Sequence, residues 1–177
     1  MCIRDRPEAY VPPLARLEPP PDAPIPIWQR LLGLLVYVLP WSDAIPIGQH
    51  LLIQFPVLQW LTLPALPLFI LERGIPFGLG NLLVFFLLFL AVVRNPNVPY
   101  FIRFNTLQAL LVDIVVVLIG YAFTILLPIG GGLMMRTLSS TVVVGVLAVV
   151  IFALIECSRG REPDLPGLSQ AVRMQLY

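Results

Sequence analysis

Residues Phe104–Leu127 read FNTLQALLVDIVVVLIGYAFTILL. Twenty-four residues with a single charge, Asp113, make a helix that more than covers ~30 Å of bilayer hydrocarbon at ~1.5 Å per residue. The polar residues within it are not scattered. At ~100° per residue, Thr106, Asp113, Gly120 and Thr124 fall within roughly 40° of one another, with Asn105 beside them and Gln108 further round. Hydrocarbon offers such a stripe no hydrogen-bond partner, so it must face protein or water. Asp113 lies ~13 Å along the helix from Phe104, near the membrane middle, where an ionised carboxylate costs ~2.5–3.5 kcal/mol on insertion scales. The sequence shows no second buried charge for a relay. A structural hydrogen bond to a neighbouring helix is therefore the leading reading of Asp113, ahead of a proton or substrate path.

The rest of the chain extends this pattern. Of its 177 residues, 58% are hydrophobic and 12% charged, and the mean hydropathy is +0.90. A folded soluble surface cannot be covered with so few charges, so the composition indicates an all-α integral membrane protein whose solvent is the lipid bilayer. The net charge of +1 gives no sign of nucleic acid as a partner. Ile75–Val93 and Arg136–Cys157 are two further clean apolar runs, closed by Arg94-Asn95-Pro96 and by Ser158-Arg159-Gly160-Arg161. Trp28–Leu71 is interrupted by Pro40, Ser42 and Asp43 and then by Pro56, Pro64 and Pro67, and it holds either two spans or one span and a surface helix.

Arginine counting decides between them. With four spans, Arg16, Arg30, Arg94, Arg103, Arg159, Arg161 and Arg173 share one side against Arg73 and Arg136, whereas five spans leave no bias. The positive-inside rule selects four, at about 30–47, 75–93, 104–127 and 136–158, with 50–71 interfacial or re-entrant and both termini cytoplasmic or stromal. Trp41 and Trp60 then suit headgroup depth. Residues 1–27 form a proline-rich disordered tail, 28–158 a transmembrane helical domain and 159–177 a polar C-terminal tail. The first six residues resemble translated sequencing adapter, and no argument rests on them.

Chemistry-bearing residues are sparse. The two cysteines and the lone His50 exclude a disulfide scaffold and a zinc site on count, and no metal or cofactor is expected. Ser139 and Ser140 lack a histidine partner, and Gly130-Gly131-Gly132 is not followed by Lys-Ser/Thr, so no catalytic residues are assigned. On the last span, Thr137, Thr141, Gly145, Ala148 and Glu156 share a face of mostly small residues. Packing inside the bundle is its leading reading, with a homo-oligomer contact as the alternative.

Arg94 to Ile114, reading RNPNVPYFIRFNTLQALLVDI, resembles the signature of a known family. That family is the twenty-kilodalton membrane subunit of the protein translocon at the chloroplast inner envelope, with its cyanobacterial relatives. Ile75-Pro76-Phe77-Gly78, Thr137-Leu138-Ser139-Ser140-Thr141-Val142 and Leu165–Gln175 agree with it. The resemblance implies four membrane helices, both termini on the stromal or cytoplasmic side, and a preprotein-translocation role among other membrane translocon subunits. The membrane implied is a cyanobacterial inner membrane or a plastid inner envelope. It supplies no catalytic residues. Asn105, Thr106, Gln108, Asp113 and Thr124 are therefore path-lining or helix-contact candidates on physical grounds, with Arg94, Asn95, Pro96 and Arg103 as loop candidates. A small-solute or proton-coupled transporter and a structural assembly factor are the competing readings.

Overall fold

A computed structural model describes residues 24–76, 79–126, 132–165 and 167–176. The proline-rich lead up to residue 23 and most of the glycine loop lie outside the described residues. What is described is helical, with three helices long and apolar enough to cross a bilayer: Ile27–Ile47, Tyr100–Ile125 and Leu133–Ser158. The chain is an all-α membrane protein.

The first of these is two helices in line, α1 (Ile27–Leu35) and α2 (Val38–Ile47), joined by a turn at residues 36–37. Sequence places the interruption at Pro40, Ser42 and Asp43, yet all three are inside α2. Pro40 sits in the first turn of α2, where its missing N–H would have been unpaired in any case. Ser42 is buried and donates its hydroxyl to the Leu39 carbonyl at 2.8 Å. Gly48 ends α2, and a Cβ there would run into Val143. Trp41 is not turned toward lipid. It is buried in the core, with Nε1 donating to the Leu61 carbonyl at 2.8 Å, whereas Trp60 is largely exposed.

Between α2 and the next long helix the chain is chopped into α3 (Gln49–Gln54), a 3-10 stretch (Pro56–Ala65), α4 (Leu66–Gly74) and α5 (Gly80–Leu88), which continues as a π-helical turn (Phe89–Val93). Prolines at 56, 64 and 67 deny this region a long α-helix. The apolar helix expected from Ile75 starts at Gly80 and runs to Val93, giving ~21 Å where ~30 Å is needed. Contacts at its two ends show how far it reaches. Arg103 donates Nε to the Val93 carbonyl, while Asn81 donates its amide to Asp43. α5 therefore runs antiparallel to the first half of the following helix and stops at its middle.

That helix, α6 (Tyr100–Leu126), begins four residues before Phe104 because Pro99 opens it: the Ile102 and Arg103 N–H groups donate to the Pro99 carbonyl. α7 (Leu133–Ser158) begins three residues before Arg136. Arg30 ties the ends of the long helices together. Its Nε donates to the Ile25 carbonyl and its Nη1 to the Ser158 carbonyl, a cation on the C-terminal carbonyls of α7. Gly160, at φ +71°, follows directly, and a Cβ there would press on that guanidinium. The start of α1 and the end of α7 thus share one end of the bundle.

The segment expected to be a polar tail contains α8 (Leu168–Leu176), which packs on α6 through fully buried Val172. Arg173 stands 3.7 Å from Glu162 and 5.9 Å from the Phe104 ring centroid. Burial pushes the Glu162 carboxyl up from its ordinary range, Arg173 opposes this, and Asp164 adds to it.

Candidate functional site

The first half of the polar stripe on α6 is buried against protein. Asn105 donates to the Phe101 carbonyl, while its Oδ1 accepts from Cys157 Sγ at 3.0 Å and from the Tyr37 hydroxyl at 3.5 Å. Thr106 returns its hydroxyl to the Ile102 carbonyl. Gln108 donates Nε2 to the Pro163 carbonyl at 3.0 Å, and its Oε1 is buried without a hydrogen-bond partner. Asn105 joins α6 to Tyr37 at the α1–α2 turn and to α7, Gln108 joins it to the C-terminal segment, and Thr106 is satisfied within α6 itself. In the loop, Arg103 caps Val93 and the Asn95 side chain accepts from the Asn97 N–H, a local turn; Arg94 and Pro96 are exposed.

The second half of the stripe opens into space. A cleft of about 1080 Å³ is walled by the end of α2, the start of α5, the second half of α6 and the first half of α7. Asp113, Gly120 and Thr124 lie on it, together with Asn81, Arg136 and Ser139. It lies where α5 begins at Gly80: among the described residues, no element continues the line of α5 alongside residues 114–125 of α6. His50, Gly132 and Arg136 are on the wall from elements that turn at one end of the bundle. Asp113, the central residue of the 27 in α6, lies at the depth where α5 begins.

There the structure supplies what the sequence did not show. Asp43 of α2, read in sequence as a helix interruption, lies on the wall of the same cleft as Asp113. Asn81 donates to Asp43 Oδ2. Asp113 is 1% exposed, and its Oδ1 is buried without a hydrogen-bond partner. Glu72 of α4 is close by, with a buried unpartnered Oε1. No cation answers these carboxylates among the described residues. The salt bridges there are Arg159–Glu156 and Arg173–Glu162, in the segments after and at the end of α7. Also among the described residues, no group of three or more His, Cys, Asp or Glu is placed to hold a metal.

The small-residue face of α7 is turned the other way from the expectation. Thr137, Thr141, Gly145 and Ala148 are exposed, and the two threonine hydroxyls donate back to their own helix, at Leu133 and Thr137. The bundle is packed instead by Ser139, Val143, Val146, Ala153 and Cys157. α7 is apolar or small all round, so its sequence gives little directional signal.

Comparison with known proteins completes the site's context. Residues 9–172 match the family described as chloroplast import apparatus Tic20-like. The chain is 40% identical over 149 residues to a Tic20 family protein of Synechocystis sp., covering 83% of this chain and 92% of that protein. It is 31% identical to the chloroplastic protein TIC 20-v of Arabidopsis thaliana, over 83% of this chain and 70% of that one. The Tic20 family protein Ycf60 of Gracilaria tenuistipitata is 34% identical over 86% and 77% respectively.

Proposed function

Since this chain belongs to the Tic20 family, we propose that it is a membrane subunit of a protein-translocation complex and that its cleft forms part of the path a preprotein follows. The cleft is the observation that supports this. Its volume of about 1080 Å³ lies just above the ~300–1,000 Å³ typical of small-molecule pockets. It ends blind beside Asp113, so one copy offers an entrance and not a through path. Below that level the bundle is filled with side chains such as Phe104, Leu107 and Leu110. Other membrane subunits, or a second copy of this chain, complete the route. Path-lining work falls to Asp113 and Thr124. Asn105 and Gln108 instead hold the elements packed on α6, and Thr106 bonds back to its own helix.

The membrane is a cyanobacterial inner membrane or a plastid inner envelope, with both chain ends on the cytoplasmic or stromal face. The arginine asymmetry supports this orientation, as does the Arg30–Ser158 hydrogen bond joining the start of α1 to the end of α7.

The test is site-specific photocrosslinking to a precursor arrested in transit. Probes at Thr124 and Ser139, on the cleft wall, should capture the precursor, and probes at exposed Val144 and Leu154 should not. Capture from the outward positions alone would remove the cleft from the path. The carboxyl pair at the blind end also favours a second reading, a proton-coupled carrier. Vesicle uptake that depends on an imposed proton gradient would support that reading, and uptake indifferent to the gradient would dismiss it.

A further inference from the structure

We propose that a groove between α1–α2 and α7 holds one acyl chain of an anionic lipid, whose headgroup rests on Arg30, Arg159 and Arg161. The groove shares no lining residue with the cleft. Leu31 and Leu35 of α1 form one wall and Ile151 and Leu154 of α7 the other, with Trp41 and Leu61 at the far end. The two polar side-chain tips beside it are spent elsewhere: the Tyr37 hydroxyl on Asn105 and Trp41 Nε1 on the Leu61 carbonyl. An occupant is therefore offered contact without a hydrogen bond, which suits hydrocarbon. From Leu31 to Trp41 is ~15 Å along the helices, half of the ~30 Å of hydrocarbon, so the groove spans one leaflet. Its volume of about 320 Å³, spread over that length, gives a section of roughly 20 Å², room for one hydrocarbon chain and too narrow to seat a helix of ~10 Å diameter.

The near end of the groove is cationic. Leu31 follows Arg30 and Leu154 is one turn before Ser158, the two residues whose hydrogen bond joins α1 to α7. Gly160 lies against the Arg30 guanidinium, and Arg159 and Arg161 flank that glycine. Glu156 stands 3.4 Å from Arg159, and Glu162 is taken by Arg173. Among the described residues, Arg30 and Arg161 have no carboxylate partner. Arg30 spends Nε and Nη1 on carbonyls, which satisfies donors and leaves its charge uncompensated. Arg161 and Asp164 are both exposed, so this end keeps an excess of positive charge. Trp28, 52% exposed in the first turn of α1, suits headgroup depth there. Basic sites at the ends of membrane helices attract anionic headgroups, and here the charge stands over a slot for the chain. Seated so, the lipid bridges the start of α1 and the end of α7.

This inference does not depend on the translocation reading, and it is tested on the full chain without any precursor. Trp28→Phe and Trp60→Phe leave Trp41 as the single tryptophan. The protein is placed in phosphatidylcholine nanodiscs with increasing amounts of phosphatidylglycerol or phosphatidylcholine brominated near the end of the acyl chain. Brominated phosphatidylglycerol should quench Trp41 at a mole fraction roughly fivefold or more below that of brominated phosphatidylcholine. Arg159→Gln with Arg161→Gln, which spares the Arg30–Ser158 bond, should abolish that preference. Ile151→Phe should fill the groove and bring quenching by the anionic lipid down to the neutral lipid's level. Equal quenching by the two lipids, no quenching, a preference that survives loss of both arginines, or quenching unchanged by Ile151→Phe overturns the proposal. Should the tryptophan or Ile151 variants fold poorly by circular dichroism, native mass spectrometry decides. The unaltered chain must then retain one phosphatidylglycerol in preference to phosphatidylcholine and the double arginine variant must not, and any other pattern overturns the proposal.

Discussion

Gln108 in α6 and Pro163 in the segment after α7 are joined by a buried hydrogen bond across 55 residues, amide to carbonyl at 3.0 Å. It clamps the start of the C-terminal segment onto the membrane bundle. Ser169 adds a longer hydroxyl bond to the same carbonyl at 3.5 Å. α8 is nine residues long, too short to be helical alone, so its helicity depends on this docking.

Replacing Gln108 by Leu should therefore loosen α8 without unfolding the bundle. With Ser169 still in place the cost is about 1 kcal/mol. With Ser169→Ala added it rises to about 1–2 kcal/mol, because the buried Pro163 carbonyl then keeps only the Leu165 N–H at 3.2 Å. Hydrogen exchange of residues 163–176 reads the effect. Unchanged protection in the double variant would show that the clamp contributes nothing.

Asn105 accepts from both Tyr37 and Cys157, so Asn105→Leu strands the fully buried Tyr37 hydroxyl. The expected loss is ~1–3 kcal/mol in detergent unfolding. Cys157→Ala should cost less than Asn105→Leu, since Tyr37 keeps its acceptor. The reverse order would mean that the thiol, and not the phenol, sets the stability of this junction.

Two glycines should respond in opposite directions. A Cβ at Gly48 meets the Val143 side chain, whereas one at Gly145 meets nothing within 4 Å. Gly48→Ala should destabilise by ~1–3 kcal/mol through overpacking, and Gly145→Ala should stabilise by ~0.5–1 kcal/mol through helix propensity. Thermal unfolding in detergent measures both. If Gly145→Ala instead destabilises and shifts the oligomeric state, the outward face of α7 is a contact between copies.

Topology can be read with a membrane-impermeant thiol reagent on a chain with its own cysteines replaced. Cysteines at Asn97 and Gln175 should label from one face of the membrane and a cysteine at His50 from the other. Labelling of Asn97 and Gln175 from opposite faces would contradict the four-crossing path.

The long helices were legible in the sequence because length and apolarity alone identify a span, and the stripe on α6 showed which side could not face lipid. Two of the helices start three or four residues earlier than the expected spans, since Pro99 and Gly132 open α6 and α7 within stretches that read as loop, while their far ends agree within a residue. Asp43 was visible but unassigned: its hydrogen-bond partner Asn81 is 38 residues away, and a Pro-Trp-Ser-Asp run looks like a break until packing is known. α5 was overestimated because Ile75–Val93 is uniformly apolar, while the helix start is set at Gly80, where a Cβ would collide with the Glu72 backbone. The docking of the C-terminal segment depends on Gln108 and Val172, polar and apolar contacts that no periodicity announces.

The early stop of α5 also decides where leakage is prevented. The cleft reaches the depth of Asp113, so the part of the bundle closed by packed side chains occupies roughly 15 Å, half of the usual hydrocarbon thickness. That plug is built from Leu39, Val93, Phe104, Leu107 and Leu110. Opening a way through the bundle would require these five side chains to part, and a smaller residue at Phe104 would thin the packed layer more than any change at the cleft mouth.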